Sequence, residues 1–100
     1  MDKSSYREIV KNTSKKANFD SESALLLIAL GLVVESGEFA DFLKKSMFHN
    51  QDLDRENMIK KIGDLRWFIE LAAINLGVTI QEVEEINISK LRTRYPEAFR

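Results

Sequence analysis

The sequence predicts an all-α protein: a helical bundle of three to four helices, completed by homodimerisation. Three observations carry this prediction. Only four glycines and one proline occur in 100 residues, so little punctuates the chain. No apolar/polar alternation of period two is sustained, whereas apolar residues recur three and four positions apart over long stretches. Residues Ala24 to Val34 (ALLLIALGLVV) form an unbroken apolar run, so a helix there is apolar on every side and must be surrounded. Three or four helices from one short chain do not easily surround it, and a second copy of the chain is the expected cover; the alternative is a monomeric bundle with this helix at its centre and the N-terminal helix as its cover.

The elements follow in order. A short polar helix is expected from about Ser4 to Lys16. Asp20 is a candidate N-cap for a long helix reaching about Phe48, with Glu22 in its favourable first turn. His49-Asn50-Gln51-Asp52 reads as a polar turn, and Asp54 can cap the next helix. That helix carries Met58, Ile62, Leu65, Ile69, Ala72 and Leu76 at alternating spacings of four and three, an apolar seam. Gly77 is placed to end it in the left-handed conformation. Thr79-x-x-Glu82 is a capping box for a last helix, which Pro96 ends. The chain reads as a single domain, 1–100, with a core from about 20 to 99 and the first helix beside it. No internal repeat or linker interrupts it.

Composition narrows the function classes. A net charge of -1 leaves no basic excess for a nucleic-acid polymer or an acidic membrane surface. The apolar run is shorter than the roughly 20 residues a bilayer span needs. It also lies too deep in the chain for a signal peptide, so a cytoplasmic protein is expected. With no cysteine and only His49, thiolate and histidine-rich metal sites are excluded. Any metal would be held by oxygen, which points to magnesium, manganese or calcium.

The chemistry-bearing residues lie on three of the predicted helices. Leu25, Ile28, Leu32, Glu35, Phe39 and Phe42 share one stripe, which puts Glu35 on a seam otherwise apolar; Glu38 and Asp41 follow at intervals of three. Either the helix turns its acidic side to water there, or a cation holds the carboxylates. Asp64 lies beside seam residue Leu65 and one turn before Trp67, on a helix that can face the first acids. Read alone, Asp64 is a surface aspartate and Trp67 a core aromatic. Asn87, Lys90 and Arg94 form a polar stripe on the last helix, either a solvated face or a grip on phosphate oxygens. Taken together, carboxylates on two helices, a hard cation and a basic stripe make a set suited to hydrolysis of a nucleoside polyphosphate. Trp67 could then stack on a base.

The same residues carry a family resemblance. GLVVESGEFADFLKK resembles the first motif of the MazG-like nucleotide pyrophosphohydrolases, Glu-x-x-Glu followed by Ala-Asp and basic residues. IGDLRWFIELAAINLGVTIQEVEEINISKLRTRYPEAF resembles the remainder: a Gly-Asp-x-x-Trp helix, a Leu-Gly break, then Asn-x-x-Lys-Leu-x-x-Arg-Tyr-Pro. It covers roughly Leu25 to Phe99. The resemblance implies an all-α nucleoside triphosphate pyrophosphatase, a dimer or a dimer of dimers. It also implies cleavage of a nucleoside triphosphate to the monophosphate and pyrophosphate, with magnesium as cofactor and manganese as an alternative. By position, Glu35, Glu38 and Asp64 match metal-binding catalytic acids. Asn87, Lys90 and Arg94 match the polar residues of the final helix, and Trp67 an aromatic near the nucleotide.

One departure stands out. The family's second acidic motif, Glu-x-x-Asp, reads here Lys61-Ile62-Gly63-Asp64, a charge reversal at an expected ligand. Lys61 could swing away, or Asp41 could substitute. The alternative reading is a catalytically impaired family member that binds nucleotide or a protein partner.

Overall fold

The computed structural model describes residues 5–17, 19 and 23–100. Four α-helices follow one another: α1 (Tyr6–Lys16), α2 (Ala24–Phe48), α3 (Arg55–Asn75) and α4 (Ile80–Arg94). A 3₁₀ turn, Pro96–Phe99, closes the chain. Among the described residues there is no strand, so the all-α expectation holds. No helix among them is long and apolar enough to cross a membrane.

Local chemistry sets the helix ends. Ser5 Oγ accepts from the Glu8 amide at 3.2 Å, Asp54 Oδ1 from Asn57 at 3.2 Å, and Thr79 Oγ1 from Glu82 at 3.1 Å. Each side chain satisfies an amide that has no partner within its helix. Gly77 takes a φ of 73°, the left-handed residue that lets the chain leave α3, as its position predicts. The residues expected to cap α2, Asp20 and Glu22, lie outside the described residues; α2 itself starts at Ala24, after Ser23.

The core is small and sits where α1, α2 and α3 meet. Val10, Ile28 and Leu71 are buried, with Phe19, Leu32, Trp67 and Phe68 packed around them. Phe19, Trp67 and Phe68 form a triangle of edge-to-face rings with centroids 4.9 to 5.9 Å apart. Such pairs add stability beyond the area they bury. Gly31 makes the close approach of α2 to α3 possible. A Cβ there would run into the Phe68 ring, so glycine is what leaves room for it.

The two predicted seams fare differently. On α2, Ile28, Leu32, Glu35, Phe39 and Phe42 are buried or half-buried, as expected, although Leu25 is exposed. On α3 the expected seam is only half inward: Met58, Leu65 and Ala72 are half-buried, whereas Ile62, Ile69 and Leu76 are 54%, 42% and 64% exposed. The buried side runs instead through Trp67, Phe68, Leu71 and Ala73. The reason is that α3 is apolar on two sides, and within one chain only one side finds a partner. α2 likewise leaves Leu26, Leu30, Val33 and Val34 more than half exposed. α4 buries none of its residues.

Candidate active site

α2 and α3 run antiparallel, with Gly31 facing Phe68 and Glu35 facing Lys61. This register brings an acidic pair on α2 against a lysine–aspartate pair on α3. Glu35 and Glu38 are one turn apart on α2; Lys61 and Asp64 are one turn apart on α3. All three predicted acids meet at a single point, and that point is the ammonium of Lys61. Its Nζ lies 2.8 Å from Glu35 Oε2, 2.5 Å from Glu38 Oε2 and 3.2 Å from Asp64 Oδ2. The Lys61 and Glu35 side chains are each only 19% exposed, whereas Glu38 and Asp64 are half exposed. The cluster is thus a partly enclosed notch, closed on the Glu35 side and open on the other. Hydrogen bonding to Glu35 first, then to Glu38 and Asp64, pushes the Lys61 ammonium above the usual lysine range. The residue expected to open a gap in the acid set is therefore the one that binds the set together.

The donors are of the type a hard divalent ion takes, and they converge. As placed, however, they do not fit one. Lys61 Nζ stands in the middle of the oxygens, and among the described residues no group of three or more acidic or histidine side chains is arranged to hold a metal ion. Asp41 does not join the cluster. It pairs with Lys45 on its own helix at 3.0 Å, and that contact lowers its carboxyl below the usual aspartate range. Lys60 pairs with Glu56 at 3.7 Å and also stays outside.

The other predicted site residues are not gathered here. Asn87, Lys90 and Arg94 line an open groove along α4 with Ser89, Leu91 and Thr93. α4 packs against α3 and the terminal turn and does not reach α2. Trp67 lies in the aromatic triangle, and its indole N–H donates to Thr13 Oγ1 on α1 at 2.9 Å.

A second charge cluster escaped the sequence reading. Glu70, 5% exposed at its side chain, sits between Arg7 of α1 and Arg66 of α3. Arg66 Nη1 is 3.0 Å from Glu70 Oε1, close enough for an ion pair though not aligned as a hydrogen bond. Arg7 Nη1 is 3.5 Å from Glu70 Oε2 and donates to the Val78 carbonyl at 2.8 Å, tying α1 to the turn before α4. The four-residue spacing of Arg66 and Glu70 was visible in the sequence; the long reach of Arg7 was not.

An all-α chain whose antiparallel helices present Glu-x-x-Glu against Gly-Asp defines a class, and the comparisons agree with it. The MazG nucleotide pyrophosphohydrolase domain model matches residues 21–99, so the chain belongs to that family. It is also similar to the Gene 37 protein of Mycobacterium phage L5, 30% identical over 79 residues, covering 75% of this chain and 69% of the phage protein. No solved structure matches.

Proposed function

We propose that the protein is a nucleoside triphosphate pyrophosphohydrolase. Water cleaves the phosphoanhydride bond between the α- and β-phosphates, and the products are the nucleoside monophosphate and pyrophosphate. Membership of the MazG family supports this reading. The observation that carries it is the convergence of Glu35, Glu38 and Asp64 from two helices onto one point. Asn87, Lys90 and Arg94 are the groups suited to phosphate oxygens, Arg94 through its planar fork and Lys90 as a point charge. Trp67 is the aromatic proposed near the nucleotide. Magnesium, or manganese in its place, is the cofactor the family implies.

The active form is proposed to be a homo-oligomer, at least a dimer. Leu26, Leu30, Val33 and Val34 of α2 and Ile62 and Ile69 of α3 lie exposed on the single chain. Apolar surface of that extent is characteristic of an interaction site, and a second copy offers a matching one. Sedimentation at micromolar concentration should show a dimer or larger; a compact monomer would sink the proposal.

A second reading is favoured by one observation, the Lys61 ammonium at the centre of the acids. On that reading the protein binds nucleotide without turning it over. The deciding experiment is a screen of ribo- and deoxyribonucleoside triphosphates with magnesium or manganese, reading pyrophosphate and monophosphate together. Equimolar release of both supports the hydrolase. Nucleotide binding with no release from any triphosphate supports the second reading.

A further inference from the structure

We infer that Lys61 is a tethered cation. Among Glu35, Glu38 and Asp64 its ammonium takes the place of a divalent ion. The folded chain therefore needs no metal at this point, and a metal ion enters only by displacing the lysine. The inference rests on reading this cluster as the active site, but its test reads metal binding and melting rather than turnover.

Three features of the geometry carry it. An ammonium has three N–H donors, and Lys61 Nζ has three carboxylate partners, one from each acid, at 2.8, 2.5 and 3.2 Å. The contacts to Glu35 and Asp64 are hydrogen bonds, and the shortest, to Glu38, is an ion pair. Next, magnesium requires oxygens at about 2.1 Å in near-octahedral order, so the ion cannot share the space that the ammonium holds. Lastly, the neighbouring cations are engaged elsewhere, Lys60 with Glu56 and Lys45 with Asp41. No other lysine or arginine side chain is paired with these acids among the described residues. Lys61 springs from α3 one turn before Asp64, and its flexible stem could carry the charge out through the notch's open side.

The test uses the full chain without nucleotide. Wild type, Lys61→Met and Lys61→Arg are compared by thermal melting with and without magnesium, and by manganese titration followed by electron paramagnetic resonance. Lys61→Met keeps an unbranched side chain one heavy atom shorter and removes its charge. Without metal it should melt below wild type, because three carboxylates are left facing one another. Magnesium should then raise its melting temperature more than that of wild type, since a ligand of the folded state stabilises by mass action. Its manganese affinity should exceed that of wild type by about tenfold or more, because a cation at contact distance has been removed. Lys61→Arg should track the wild type. Equal manganese affinity in wild type and Lys61→Met overturns the inference, as does an equal magnesium response. If Lys61→Met does not fold, Lys61→Gln takes its place in the same comparison: manganese affinity above that of wild type supports the inference, and equal affinity overturns it. Because none of these readouts is catalysis, a protein that hydrolyses nothing can still satisfy the inference, and a working hydrolase can still overturn it.

Discussion

α3 carries two charge clusters of opposite design. At Lys61 one ammonium meets three carboxylates; at Glu70 one carboxylate meets two guanidiniums. The Glu70 carboxylate is almost fully enclosed, and its partners reach across to α1 and to the turn before α4. Its links join three parts of the fold, which is what a structural ion cluster does. The Lys61 cluster joins only α2 and α3, keeps an excess of negative charge and leaves Glu38 and Asp64 half open. Three carboxylates against one ammonium leave negative charge in excess at a solvent-facing notch, whereas the Glu70 cluster has its single carboxylate between two cations. The difference teaches that burial and charge balance together separate a cluster that ties elements of the fold to one another from a cluster that stays open to solvent with charge to spare.

The largest expected effect breaks the anchoring side of the comparison. Glu70→Gln keeps the shape but leaves two guanidiniums without their counter-charge. Hydrogen bonds to charged groups contribute about 1.5–3 kcal/mol, and complete loss of a buried partner costs more. Arg7 is about a third exposed and can regain water, whereas Arg66 Nη1 is buried, so a loss of about 2–3 kcal/mol is expected in urea unfolding. Manganese binding at the Lys61 notch should not change. A parallel loss of both would show that the two clusters form one network.

Gly31→Ala acts in the opposite sense. The new methyl would meet the Phe68 ring and push α2 off α3, the two helices that form the acidic notch. Overpacking costs typically 1–3 kcal/mol, and alanine recovers up to about 1 kcal/mol of helix propensity, so a net loss of about 1–2 kcal/mol is expected. The spacing of Glu35 and Glu38 from Lys61 should loosen while the Arg7–Glu70 link persists. Hydrogen exchange should then rise at the α2–α3 contact and not in α1.

The sequence made much of this legible, for physical reasons that differ by element. Caps at Asp54 and Thr79 and the left-handed Gly77 are local chemistry, decided within four residues, and all three are observed. The Glu35/Glu38 pair on α2 and Asp64 on α3 were legible because helical periodicity fixes which residues share a face. The inward face of α3 was not legible, because two of its sides are apolar and periodicity does not say which one the chain covers. Lys61 was read as a charge that weakens an acidic set. That view missed that a long flexible lysine one turn before Asp64 reaches carboxylates on the facing helix as well. The distance between α4 and the notch is a matter of tertiary placement, on which the spacing of Asn87, Lys90 and Arg94 is silent.

A smaller effect sharpens the role of the α3–α4 turn. Thr79→Ala removes the oxygen that accepts the Glu82 amide and should cost about 1 kcal/mol. The Arg7 bond to the Val78 carbonyl holds the preceding residue, so fraying should be confined to the first turn of α4. Amide exchange measured along α4 checks this; protection lost along the whole helix would show that the cap, rather than Arg7, anchors it.

The smallest expected effect comes from Asp41, which supplies an acidic control outside both clusters. Its carboxyl is lowered mainly by the hydrogen bond from Lys45, with the charges of Lys45 and Lys44 adding to it. A carboxylate whose folded value lies below its unfolded value binds fewer protons in the folded state. Its contribution to stability is therefore present above the ordinary aspartate value of 3.8 and is lost as pH falls through the lower folded value. Asp41→Asn should leave melting near neutral pH almost unchanged, since exposed pairs on one helix contribute little. Below the ordinary aspartate range the wild type should lose slightly more stability than the variant, and added salt should shrink the gap by screening. The measurement is a pair of acid-side melting curves at low and high salt. If Asp41→Asn instead lowers stability across the neutral range and alters manganese binding, Asp41 belongs with Glu35, Glu38 and Asp64, and the boundary drawn around the Lys61 notch is too narrow.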